Sequence, residues 1–398
     1  MPFLDKVFRD KLKTPSEVVS KLTAGFESFA AARKDERATE KAQDAVAKYL
    51  GFAKLLLFGD DEHEPTKENA IAFAQEAGRS DLLSLIVKQL GELEFESRKD
   101  AAQVFGALVR IRENEERGPG AQYVLNHPEI PTLLFLGYDE PAIALNCGSM
   151  LRDCLRDDQI ARKMLDGPVF LKFFEKVVVA NFEIASDAFS TFKDLLTRHK
   201  QVVAQYLQEH YQEFFNAYIK LLQSNNYVVR RQSLKLLGEL LLDRSNVKVM
   251  LKFVSEPQHL MTMMVLLKDQ SRSIQFEAFH VFKVFVANPN KPQAVVDILA
   301  NNREKLLKYL EDFHTEKEED EQFKEEKAVI IKTISLLGAP AAAPAPPVAP
   351  PPPPPSATAA PATSPMTVTP SAAVQVPVAT ATGVTATPSE AVAAGPAT

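Results

Sequence analysis

Tyr227, Arg231 and Lys235 stand four residues apart, so on a helix they fall one turn after another along one face. An aromatic ring, a guanidinium and an ammonium in line can fill an apolar hollow and pair with carboxylates, which is recognition and not bond-making. With Arg230, the stretch from Tyr227 to Lys235 holds three cations and an aromatic within nine residues. That is the composition of a protein-binding hot spot, and equally of a solvated helix face; the pattern alone admits both.

Catalysis asks for other patterns, and the chain lacks them. There is no Gly-x-x-x-x-Gly-Lys-Ser/Thr phosphate loop, no Gly-x-Gly-x-x-Gly turn, no Gly-x-Ser-x-Gly elbow, no His-Glu-x-x-His and no Cys-x-x-Cys. Of the seven histidines only His199 and His210 lie near one another, and they read as helix-end or surface residues. The acidic run Glu316–Glu326 lacks the glycine and ligand spacing of a calcium loop and reads as a solvated helix start. No enzyme, metal site or cofactor is expected.

Charge and composition narrow the partners. Forty-six Lys and Arg against 52 Asp and Glu leave a formal charge of −6, which argues against bulk attraction to nucleic acid or anionic lipid. No window approaches a membrane span, the first residues carry charges unlike a secretory signal, and Pro2 stands where myristoylation needs glycine. A cytoplasmic protein is expected. Cys147 and Cys154 lie two helical turns apart, roughly 10 Å along an axis, too far to bridge, which suits a reducing compartment.

The elements that must position Tyr227 and Arg231 are repeats. Five stretches share one signature, a small residue followed by large apolar ones at four, seven and eight positions on. They are Ala101/Phe105/Leu108/Val109, Cys147/Leu151/Cys154/Leu155, Ala188/Phe192/Leu195/Leu196, Ser233/Leu237/Leu240/Leu241 and Ala278/Phe282/Phe285/Val286. The heads advance by 46, 41, 45 and 45 residues, the period of armadillo and HEAT units. Each stripe needs a neighbour to cover it, so the units must stack. The expected fold is all-α, an armadillo/HEAT-like helical-repeat superhelix over residues 1–338.

Thr14-Pro15-Ser16-Glu17 is a helix start, and turn chemistry recurs at Gly59–Pro65, Gly78–Ser80, Gly118–Gly120, His127–Pro131, Gly137–Pro141, Asp166–Pro168, Ser224–Asn226, Ser255–Pro257 and Asn288–Pro292. These breaks suit two or three helices per repeat, and no alternating strand is evident. Phe3, Leu4, Val7, Phe8 and Leu12 suit a cap on the first helices. Residues 339–398 are dominated by Ala, Pro, Thr, Val and Ser, with six prolines at Pro350–Pro355; such a tail is expected to be disordered. It is either a ligand for an SH3, WW or profilin-like domain or a plain spacer.

Several runs carry a family resemblance. Phe182–Lys200, Arg231–Arg244 and Ile274–Lys291, with Ala144–Gly148 and Asp320–Phe323, resemble the calcium-binding protein 39 family, whose fungal members are called Hym; a fungal member is the expectation. The likeness covers roughly residues 1–338. It implies a non-catalytic, armadillo-like scaffold that binds sterile-20-type kinases or pseudokinases through its concave face and stabilises their active arrangement. In fungal relatives this serves polarised growth and cell separation, with an NDR-family kinase network downstream, and places the protein at sites of growth or division.

Carried over by position, the concave kinase contact resembles Phe182, Tyr227, Arg231 and Arg244, with Val247 where animal relatives have an aromatic. A second site, for a Trp-x-Phe peptide from the partner's tail, resembles Lys235, Met264 and Lys305, with Asn301 where the family has lysine. The competing reading is a transport or trafficking adaptor. It asks for an acidic groove, and the ridge from Tyr227 to Lys235 has the opposite sign.

Overall fold

Several helix starts in this chain are written as short polar side chains. In the computed structural model, which describes residues 13–32, 35–60, 64–113, 116–315 and 320–337, Thr14 accepts from the Glu17 amide with Pro15 at the first helical position. Asp35, Thr66, Asp157, Asn181, Asn226 and Asp320 cap later helices in the same way. Each satisfies amides that the first helical turn leaves unpaired.

The helices fall into a ladder. Glu36–Phe58, Phe95–Arg110, Ala144–Cys154, Phe182–Thr197, Tyr227–Leu242, Arg272–Ala287 and Glu321–Ser335 each pack on the next. Two further α-helices lie between every consecutive pair, as Val247–Ser255 and Pro257–Leu266 do between the fifth and sixth rungs. The repeat is therefore a three-helix unit of armadillo-like kind. All twenty residues of the five stripes are buried, Ser233 among them. Burying one large apolar side chain contributes about 1.5–3 kcal/mol, so each stripe is a large share of what holds its repeat in the stack.

Polar bonds repeat at the same period. Lys54 reaches Asp100 at 2.6 Å, Arg110 reaches Asp153 at 2.5 Å, Arg152 reaches Asp187 at 2.9 Å, Lys193 reaches Glu239 at 2.9 Å and Lys283 reaches Glu326 at 2.7 Å. Every one crosses a boundary between rungs. Between them sits an aromatic core in which Phe192 lies 5.1 Å from Phe174 and 6.1 Å from Phe170, and Tyr218 lies 5.3 Å from Phe214. Fully buried Tyr218 donates its hydroxyl to the Ser233 carbonyl at 2.8 Å, so the small head of that stripe is where an aromatic approaches the backbone.

Three local expectations need correction. A two-residue antiparallel hairpin, Arg112–Glu113 with Glu116–Arg117, interrupts the all-helical chain; it is too short for alternation to show. The turn beside it ends at Gly118, because Pro119 suits the first helical position; Gly120 lies inside the helix Pro119–Asn126, where any Cβ would collide with the Leu108 carbonyl. Pro131 likewise sits in the first turn of Glu129–Leu136, where a missing amide costs nothing.

No described helix is long and apolar enough to cross a membrane. The apolar segment Phe3–Leu12, residues Glu316–Glu319 of the acidic run and the tail 339–398 lie outside the described residues. The rest of the acidic run opens a helix as expected, with Asp320 capping Glu321–Ser335.

Candidate protein-binding surface

Ser233, Leu237 and Leu240 face the core, which turns the opposite side of the Tyr227–Leu242 rung outward. Tyr227 is 42% exposed, and Arg231 and Lys235 are exposed one and two turns on. The Asn226 side chain accepts from Val228 and Val229 and fixes the helix start, so Tyr227 is the first helical residue. Its neighbours come from two rungs: the Ser273 hydroxyl, then that of Ser271, and the Arg231 charge hold its phenol below the usual tyrosine range. All of these stabilise the phenolate form over the neutral one.

Arg230 and Arg231, adjacent in sequence, have different fates. Arg230 donates to the Ser224 carbonyl at 2.7 Å and pairs with Asp269 at 3.4 Å, which ties the loop before its own rung to the loop before the next. Arg231 stays on the exposed face. The recognition ridge is thus one aromatic and two cations.

The remaining expected site residues separate into groups. Phe182 opens its own rung behind the Asn181 cap, 66% exposed, at the place Tyr227 holds one repeat later. Arg244 and Val247 are exposed but sit at the far end of the Tyr227 rung, about 25 Å along a helix of that length. Of the peptide-pocket residues, Lys235 lies on the rung, half-buried Met264 packs against the core from Pro257–Leu266, Asn301 ends the helix Gln293–Asn301, and Lys305 is exposed on Arg303–Glu311. A hollow of about 710 Å³ opens on another side of Pro257–Leu266. Met261, Val265, Leu222, Arg230 and Lys268 are among its lining, and none of the four pocket residues is. Val265 is 71% exposed there. Sequence reasoning passed over Met261 and Val265, because Pro257–Leu266 is apolar on most sides and its sequence does not mark the exposed one.

Burial pushes the Cys147 thiol up to about 12 and Cys154 higher still; neither is poised as a nucleophile. Among the described residues no group of three or more His, Cys, Asp and Glu could hold a metal ion.

Stacked three-helix repeats of this kind define a helical-repeat scaffold. Comparison with known proteins agrees: the chain belongs to the Mo25-like family, whose model matches residues 6–338. The Degreening-related gene dee76 protein of Auxenochlorella protothecoides is 57% identical over 304 residues, covering 76% of this chain and 94% of that protein. The human Calcium-binding protein 39-like is 47% identical over 328 residues, covering 82% and 96%. The Mo25-like protein of Schizosaccharomyces pombe is 44% identical over 298 residues, covering 75% and 90%. Among solved structures, a designed armadillo repeat protein in complex with the peptide (KR)4 aligns at TM-score 0.40 with 13% identity, covering 69% of this chain and all of that one.

Proposed function

We propose that this chain is a non-catalytic scaffold that binds the kinase domain of a sterile-20-type protein kinase, or a pseudokinase relative, and shifts it toward its active arrangement. The observation that carries the reading is the ridge Tyr227, Arg231, Lys235: exposed, in line, on a rung anchored by a capped start and a buried stripe. In this account Phe182 and Tyr227 fill apolar hollows on the kinase and Arg231 pairs with a carboxylate or carbonyl there. Arg244 and Val247 form a second contact at the other end of the rung. A scaffold that prefers the active form about 100-fold shifts the equilibrium by roughly 2.7 kcal/mol.

Lys235, Met264, Asn301 and Lys305 act in this account as the receptor for a Trp-x-Phe tail peptide. Met264 supplies an adaptable apolar wall and the lysines attract acidic neighbours of the motif. Asn301 in place of a lysine weakens that attraction. Residues 1–338 are the working repeat domain in this account, and residues 339–398 a separate tail, either a plain spacer or a proline-rich ligand for SH3, WW or profilin-like domains. The setting is the cytoplasm, in a network for cell polarity, morphogenesis and cell separation that runs on to an NDR-family kinase.

Calorimetric titration of the chain with sterile-20 kinase domains tests the binding step. Arg231→Ala is expected to weaken association by about 2 kcal/mol or more while the helical content stays unchanged. Equal affinity of the folded variant and the parent would remove Arg231 from the interface.

A further inference from the structure

The place of Tyr227 in its repeat is occupied elsewhere by another exposed aromatic. Six residues before the buried small heads Ala101 and Ser233 stand Phe95 and Tyr227, each the first residue of its rung. Four residues on come Lys99 and Arg231, both exposed. Of the five striped repeats only these two set an aromatic first and a cation one turn later. Phe95 is 67% exposed, and the Lys99 ammonium lies 4.7 Å from its ring centroid. Exposing a phenylalanine and fixing a cation over it gives the first repeat nothing in core packing.

Beside Lys99 the surface opens into a hollow of about 500 Å³ between three rungs. Phe58 and Leu145, both among the exposed large apolar side chains, supply its greasy wall, and Arg110 lines it from the same helix as Lys99, about three turns on. The lining holds two cations and one carboxylate, Asp153. That carboxylate is already engaged by Arg110 at 2.5 Å and by Arg156 at 3.3 Å. Among the described residues, Lys99 makes its ion pair with solvent-facing Glu96, at 3.3 Å, an exchangeable partner.

We propose that Phe95, Lys99, Phe58 and Leu145 form a second docking site, for a linear peptide segment that carries a large apolar side chain next to a carboxylate. The apolar side chain enters between Phe58 and Leu145, and the carboxylate replaces Glu96 on Lys99. This goes beyond the kinase reading, and its test needs no kinase, so the two stand or fall separately.

The test is to pan a display library of random twelve-residue peptides on the full chain carrying Tyr227→Ala, Arg231→Ala, Lys235→Glu and Lys305→Glu, which silences both the other ridge and the lysines of the proposed tail-peptide receptor. The enriched peptides are then measured by fluorescence anisotropy against the same chain with Phe95→Ser or Lys99→Glu, with circular dichroism melting as the check on folding. The expected result is enrichment of sequences joining Phe, Trp or Leu to Asp or Glu, with affinity falling at least ten-fold in each variant at unchanged melting temperature. Absence of enrichment, enrichment of basic sequences, or binding that survives both substitutions would overturn the proposal.

Discussion

Arg152 reaches across a repeat boundary and grips Asp187 with two guanidinium nitrogens, each 2.9 Å from a carboxylate oxygen. The pair sits in a small network: Tyr138 donates to Asp187 at 2.7 Å and shares a 2.8 Å bond with Thr191, and Arg152 also donates to Thr191 at 2.7 Å. Burial and the Asp187 charge together push the Tyr138 phenol well above its usual range, so it stays a donor. Removing the carboxylate would leave a partly buried cation and the Tyr138 hydroxyl without that acceptor, while Thr191 keeps the Asp187 backbone carbonyl at 3.2 Å. Asp187→Ala is expected to cost about 3 kcal/mol in urea denaturation. A loss below about 1 kcal/mol would show that water replaces the carboxylate there.

The two cysteines make a chemical test of the stack. Both head or line one buried stripe, and burial disfavours their thiolates. The folded chain is therefore expected to leave both unmodified by a disulfide reagent at pH 8, and the chain unfolded in guanidinium to react at two thiols. Rapid labelling of the native chain would place that rung nearer solvent than the structure does.

His259 sets an acid limit on stability. It is buried, stacks on Phe253 at 4.1 Å and meets Glu256 at 3.0 Å; burial outweighs the Glu256 charge and lowers its pKa. A histidine whose folded pKa is depressed binds its proton more readily once unfolded. Its neutral form thus costs nothing above about pH 6.5, and stability falls as pH drops below that value. His259→Phe is expected to flatten the fall in melting temperature between pH 7 and pH 5.5. Parallel pH profiles of variant and parent would place the acid sensitivity elsewhere.

The stripes were legible because packing of one rung on the next imposes a period that survives any change of surface. The ridge was legible for the same reason: once Ser233, Leu237 and Leu240 are assigned to the core, Tyr227, Arg231 and Lys235 have only the other face. What adjacent arginines do was not legible, because Arg230 is taken by Asp269 thirty-nine residues on, and such a partner is set by how loops meet. The hollow beside Met261 and Val265 was hidden for a related reason. Pro257–Leu266 is apolar nearly all round, so its sequence does not say which side its neighbours cover. Val247 and Arg244 follow Tyr227 closely in sequence but lie at the other end of the rung, since a helix turns short spacing into length.

The most direct test is the phosphorylation rate of a sterile-20-type kinase domain titrated with the full chain, alongside Arg231→Ala. The account predicts a rate that rises to a plateau with the parent chain, and a titration with the variant shifted to at least ten-fold higher concentration. A rate that stays flat while the two proteins bind would contradict the activating role and leave a tether; a rise that the variant reproduces unchanged would contradict the ridge as the contact.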